Sequence, residues 1–241
     1  VAAVVVLVSA LEGFLRILFR LPQIMGRDDE RHLRCQTALV ALTGISETVA
    51  TTQIFPYCSR MVEAMQGTDN LALYVGLLYC GNGIGLICGT QMWAWVGSRW
   101  GCHRGLRASL FLTSLCVAGC ALANSLPLVV ALTVTRGLCN GVFTLGRVGL
   151  HRSYLKCGED DTVAFGWLGA ASAVATLCGP ALGGITYNAW PELSHPWTLP
   201  YLCASLLLAT ASVAVWCFME DTTAVAEPLV AGSTAAASGQ E

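Results

Sequence analysis

The segment Gly179-Pro180-Ala181-Leu182-Gly183-Gly184 lies near the far end of a long apolar run that begins around Val163. A proline inside a helix removes a backbone hydrogen bond and clashes with the preceding turn, so a helix in water normally ends there. Here apolar sequence continues on both sides. Glycines flank the proline as though neighbouring helices approach closely enough to repair the freed carbonyls, which is how membrane helices tolerate such breaks. The composition points the same way: of 241 residues, 55% are hydrophobic and only 12% charged, against about 25% charged in an ordinary soluble domain. The chain therefore reads as a polytopic membrane protein whose charges fall between its apolar runs. Its net charge of −2 gives no sign of a nucleic-acid partner. The 12 cysteines include no Cys-x-x-Cys pair, so neither a metal site nor a disulfide scaffold is indicated, and no residue pattern calls for a cofactor.

Three regions follow from the patterning: an apolar and amphipathic N-terminal segment with a cytosolic lead-in (1–35), a six-helix membrane domain (36–221) and a flexible cytosolic tail (222–241). Residues 1–11 are wholly apolar but too short to cross a bilayer, which takes about 20 residues of helix. Glu12, Arg16 and Arg20 then share one face of an amphipathic helix. Membrane helices are expected over 36–57, 71–96 and 106–123, from about Leu128, from about Val163, and over 200–218. Gly81, Gly85 and Gly89 form a small-residue stripe for close helix packing. Residues 146–161 read as a basic and then acidic loop, in which His151 is a solvated residue.

Two charges interrupt the apolar helices. A carboxylate at the bilayer centre costs about 2.5–3.5 kcal/mol even on lenient insertion scales, so Glu47 should face a cavity and have a partner. Arg136 lies about two and a half turns inside its helix. Arginine and lysine concentrate before the first helix, between the second and third, and after the fourth, which places both ends of the six-helix unit in the cytosol. With that orientation Glu47 and Arg136 reach one depth near the midplane, at about 1.5 Å of rise per residue, and two opposite charges at one depth predict a pair.

Several of these stretches resemble the major facilitator superfamily. The Gly179-Pro180-x-x-Gly183-Gly184 hexapeptide resembles the fifth-helix motif of its drug/proton antiporter branch. Glu47, Thr52 and Phe55-Pro56-Tyr57 keep the first-helix spacing of the zinc-induced-facilitator-like transporters, with Thr48 where those have proline. The stretch from Trp93 to Arg104 occupies the place of the superfamily's signature loop between helices two and three. Arg99 and Gly101 match it, Ser98 stands where the family has an acid, and serine can cap a helix but carries no charge. Arg136 resembles the arginine that opens the fourth-helix motif, with Asn140 and Gly141 at or beside its later positions.

The resemblance implies an all-α membrane protein forming the six-helix half of a major facilitator fold, which moves a small solute across the lipid bilayer in exchange for protons. Glu47 would take and release a proton, while Arg136 stabilises its anion or holds an anionic substrate. Burial disfavours a charged carboxyl and a neighbouring guanidinium favours it, so small rearrangements can switch its protonation. Because such transporters rock two halves about a central site, the chain is expected to be partial, or to work with a second half-transporter or as a homodimer. The alternative is a non-transporting membrane protein that keeps the half-fold for interaction or assembly, a reading that Ser98 favours. Nothing in the sequence presents a nucleophile–base pair or a phosphate-binding loop, so an enzyme is not expected.

Overall fold

The computed structural model describes residues 28–67, 69–189 and 195–219. The N-terminal apolar segment up to residue 27, the tail from 220 onward and the loop over 190–194 lie outside the described residues. Among the described residues, eight helices follow in order: α1 Asp28–Thr52, α2 Cys58–Gln66, α3 Leu71–Trp100, α4 Cys102–Leu122, α5 Leu126–Cys139, α6 Val142–Cys157, α7 Thr162–Asn188 and α8 Thr198–Phe218. With α5 and α6 taken as one interrupted stretch, Leu126–Cys157, five of these stretches are long and apolar enough to cross a membrane. The chain is thus an integral, multi-pass membrane protein.

The first helix departs from expectation. It was expected over 36–57 but runs over Asp28–Thr52, and it is not among the five apolar stretches although its 25 residues suffice to span. The reason is its polar stripe: Gln36, Thr43, Ser46, Glu47 and Thr52 are all buried against the rest of the bundle rather than against lipid. Its C-terminus comes early because Pro56 disfavours helical backbone at Phe55. The chain tightens instead into turns, with Phe55 N–H bonded to Thr52 O (3.2 Å) and Tyr57 N–H to Ile54 O (3.2 Å). A further helix not expected from the sequence, α2, is amphipathic and buries Cys58, Met61 and Val62. Fully buried Tyr57 stacks on Tyr187, with ring centroids 5.2 Å apart.

The expected loop over 146–161 is largely helix. α6 carries Arg147, His151 and Arg152 to Cys157, burying Gly149, Leu150 and Ser153 on its inner face, and only Gly158 to Asp161 connect it to α7. Gly158 makes that turn in left-handed backbone (φ 69°). His151 is not merely solvated: its Nδ1 lies 2.5 Å from Asp161 Oδ2 across the turn. Asp160 accepts hydrogen bonds from the Thr162 hydroxyl (2.6 Å) and N–H (3.0 Å), which starts α7 and holds the Asp160 carboxyl below its ordinary value.

The main packing partners are α1 with α7, α3 with α5, and α4 with α8. The scheme is unchanged when the first three spans are exchanged for the last three, so that α1 stands for α5–α6, α3 for α7 and α4 for α8. That symmetry is the one an inverted pair of three-helix repeats produces. Glycines set the closest approaches. A Cβ on Gly85 or Gly89 would enter the α5 backbone at Val134 and Leu138, and one on Gly137 would enter α3 at Asn82. Across the bundle, a Cβ on Gly179 would strike the Thr52 hydroxyl and one on Gly183 the Gln53 carbonyl. Gly184 differs, since a Cβ there meets Pro56 only at 3.8 Å. α7 passes through Pro180 as a continuous helix.

Gly183→Ala is therefore expected to destabilise the protein by about 1–3 kcal/mol through overpacking, while Gly184→Ala stays within about 0.5 kcal/mol. Thermal unfolding of the two purified variants in the same detergent checks the contrast.

Candidate functional site

Glu47 sits on α1, a little over one turn before the helix ends, and none of it is exposed; Arg136 on α5 is 6% exposed. The structure brings the two together, with Arg136 Nη2 donating to Glu47 Oε1 at 2.6 Å. The same oxygen accepts from Asn140 Nδ2 at 2.9 Å and from the Thr51 hydroxyl at 3.1 Å. Thr51 also takes a hydrogen bond from Arg136 Nη2 at 2.7 Å, so it bridges the pair. Glu47 Oε2 and Arg136 Nε have no hydrogen-bond partner among the described residues. Oε1 is thus fully engaged, whereas Oε2 is held by no group among the described residues.

Arg136 has a second task. The last carbonyls of a helix lack intrahelical donors, and at the end of α1 Val49 O is taken by Gln53 N–H (3.0 Å) while Ala50 O accepts from Arg136 Nη1 (3.1 Å). The guanidinium therefore caps the C-terminus of α1, where the helix dipole also favours a cation. One side chain neutralises the acid and closes the helix that carries it.

The helix that presents Arg136 is itself broken one residue beyond its end. Asn140 and Gly141 leave the helical path between α5 and α6, where Gly141 lies directly against the Trp93 ring. Three backbone groups at this break are met by side chains: Leu138 O by Trp93 Nε1 (2.9 Å), Cys139 O by the Ser109 hydroxyl (2.8 Å), and Val142 N–H by Asn140 Oδ1 (3.2 Å). Gly141 N–H donates to Ser109 Oγ (2.7 Å). Asn140 thus ties the break to the acid, its oxygen on the backbone and its nitrogen on Glu47.

The other residues singled out in the sequence lie elsewhere. Ser98 does not cap a helix, because α3 continues past it to Trp100. Its hydroxyl bonds back to Trp95 O at 2.8 Å. Arg99 lies 5.2 Å from the Trp95 ring centroid as a cation–π contact. Gly101 alone joins α3 to α4 with φ 90°, a backbone conformation that glycine adopts at least cost. Gly179 and Gly183 touch the end of α1 just beyond Glu47, and Pro180 lies between them. Thr51 was not identified from the sequence, nor was Asn140 as a ligand of the acid. The available signal was spacing: Thr51 is four residues after Glu47 and Asn140 four after Arg136, the interval that puts two side chains on one helix face.

Hydrogen bonds to charged groups contribute about 1.5–3 kcal/mol each. Asn140→Ala is expected to lower unfolding free energy by that amount or somewhat more, because it also frees the Val142 N–H. Thr135→Ala, one turn away on the exposed face of α5, should change it by less than about 0.5 kcal/mol. Chemical unfolding of both variants in mixed micelles measures the difference.

Residues 38–237 match the family model for the Major Facilitator Superfamily. Among curated proteins, the chain is 26% identical over 213 residues to "Major facilitator superfamily multidrug transporter mfsB" of Aspergillus fumigatus, covering 82% of this chain and 35% of that protein. It is also 26% identical over 195 residues to "Efflux pump azaK" of Aspergillus niger, covering 78% of this chain and 40% of the pump. The chain therefore spans well under half the length of these curated relatives. No solved structure matches it. With the family model covering most of the chain, and with an all-helical bundle whose pairing follows a three-helix inverted repeat, this chain belongs to the major facilitator superfamily.

Proposed function

We propose that the chain is part of a proton-coupled secondary transporter of small solutes, in which Glu47 is the proton carrier and Arg136 its counter-charge. The observation that carries this reading is the buried pair. An acid and a guanidinium inside a membrane bundle are costly to place there, and capping α1 accounts for the guanidinium but not for the acid. In this reading Oε1 stays with Arg136, Asn140 and Thr51 while Oε2 takes and gives up the proton, so a shift of α1 against α5 alters which form is favoured. The relatives named as a multidrug transporter and an efflux pump support movement of a small solute across the membrane. The likeness of the first-helix and fifth-helix motifs supports the drug/proton antiporter branch, close to the zinc-induced-facilitator-like transporters. The excess of Arg and Lys in alternate connections supports cytosolic ends for the bundle. The unit would act with a second six-helix half or with another copy of itself, and it performs no covalent chemistry.

Ser98 supports a second reading, a half-fold kept for assembly without transport. An uncharged hydroxyl bonded within its own helix cannot supply the negative charge that the family resemblance puts at that place.

Proteoliposomes loaded with a pH dye and carrying the chain separate the two readings when challenged with a panel of small organic cations, anions and neutral molecules. Solute-dependent proton movement is expected from the native chain, with a loss of at least about tenfold, or about 1.4 kcal/mol in the barrier, in the Glu47→Gln/Arg136→Gln double variant. Proton movement that persists in the double variant would overturn the role assigned to the pair. Its absence from well-folded native protein favours the second reading.

A further inference from the structure

Two more polar groups are enclosed in the bundle. Tyr57, in the connection from α1 to α2, is fully buried and Tyr201 on α8 is 3% exposed, yet neither hydroxyl has a hydrogen-bond partner among the described residues. A buried phenol normally finds one, and an unmatched hydroxyl opposes folding. The two rings meet edge to face with centroids 6.2 Å apart, and Tyr187 of α7 stacks on Tyr57. Packing therefore fixes the rings but makes no use of their oxygens.

Both hydroxyls lie beside the interior arginine. Cys120 on α4 links them to it: its thiol meets the Thr133 hydroxyl, and both phenols neighbour that thiol. Thr133 precedes Arg136 by three residues on α5 and so shares its face. Arg136 has already given its Nη1 and Nη2 groups to Ala50, Glu47 and Thr51, while its Nε is unspent among the described residues. Besides Glu47, the titratable groups facing this guanidinium are the phenols of Tyr57 and Tyr201 and the thiols of Cys116 and Cys120, groups that are ordinarily neutral at pH 7. Glu47 is the carboxylate on which the arginine depends.

We propose that Tyr57 and Tyr201 form a second seat for the Arg136 guanidinium, taken up when Glu47 is protonated. The inference rests on the proton-carrier reading of Glu47 and deepens it by naming the residues that hold the arginine in the other state. Once the carboxyl is neutral, the bond from Arg136 Nη2 to Oε1 loses its ionic part and the interior keeps one uncompensated cation. Two phenol oxygens can accept from that cation at little conformational cost, because their rings are already packed and their lone pairs are unused. The proton stays on the Glu47 carboxyl and none leaves the guanidinium, so the step exchanges N–H···O bonds only. In moving, the guanidinium gives up Ala50 O, and α1 loses its cap where Gly179 and Gly183 of α7 press on it. Tyr57 and Tyr201 are thus positioning residues that tie the charge of Glu47 to the freedom of α1.

Four proteins test this: the native chain, Tyr57→Phe/Tyr201→Phe, Glu47→Gln, and the variant carrying all three substitutions, each unfolded by denaturant in the same mixed micelles. In the native background the hydroxyls have no partner to lose, so removing them should leave the unfolding equilibrium constant within about threefold or shift it toward the folded form. In the Glu47→Gln background the same removal should shift it toward the unfolded form by at least about tenfold, the size of a lost hydrogen bond to a charged group. Glu47→Met repeats the comparison if the glutamine variant does not fold. A second readout is the tyrosine doublet in ultraviolet resonance Raman spectra, taken as the difference between chains with and without the two hydroxyls. Glu47→Gln should move it toward hydroxyls that accept hydrogen bonds, a change that a merely structural role would not produce. Either of two results overturns the proposal: hydroxyl removal with the same effect in both backgrounds, or a doublet that Glu47→Gln leaves unchanged. Because neither readout follows proton movement, both can fail while Glu47 carries protons, and transport can fail while both hold.

Discussion

A carboxylate enclosed by helices has lost its water, and what replaces that water decides how the surrounding chain must be arranged. For Glu47 the replacement is a guanidinium, an amide and a hydroxyl, all on one oxygen. Arg136 could not deliver its charge from an arbitrary height, because its second nitrogen must also reach the open carbonyl of Ala50 at the end of α1. Helix length, helix ending and charge neutralisation are therefore coupled. If α1 ran on to Tyr57 without the turn imposed ahead of Pro56, Ala50 O would be taken by its own helix and the arginine would lose half of its seat.

The glycine contacts gain meaning from this coupling. Gly85 and Gly89 press α3 onto the stretch of α5 that surrounds Arg136, and Gly179 and Gly183 press α7 onto the end of α1 just beyond Glu47. The two clamps are equivalent under the exchange of the two three-helix repeats, and each holds one member of the pair. Helices in lipid gain little from apolar burial against one another, so close backbone approach is how such a bundle fixes relative positions. At the break after α5, Trp93 and Ser109 supply side-chain donors for carbonyls that a regular helix would have satisfied itself. This lets Asn140 turn its amide toward the acid.

Much of this was legible in the sequence. Charge rarity inside apolar runs marked Glu47 and Arg136, and the positive-charge count and helix lengths brought them to one depth. Glycine spacing marked the α3 clamp, and the proline hexapeptide marked α7. Three features were hidden, each because a local signal was overruled by packing. The short helix α2 has few apolar residues among polar ones, yet Cys58, Met61 and Val62 pack inward. Residues 146–161 read as loop because their charges are dense, but those charges occupy the outer face of α6 while Gly149, Leu150 and Ser153 pack inward. Ser98 has the residue type of a cap, but its helix runs on to Trp100 and Gly101 alone makes the turn.

The central claim is that Glu47 and Arg136 are one energetic unit inside the bundle. A double-mutant cycle on unfolding free energy, using Glu47→Gln, Arg136→Gln and the double variant in the same micelle, measures that unit directly. Removing one partner of a buried pair leaves the other uncompensated at about 3–5 kcal/mol. The account therefore predicts two costly single variants and a double variant no worse than either. Single effects that simply add, to within about 0.5 kcal/mol, would contradict it.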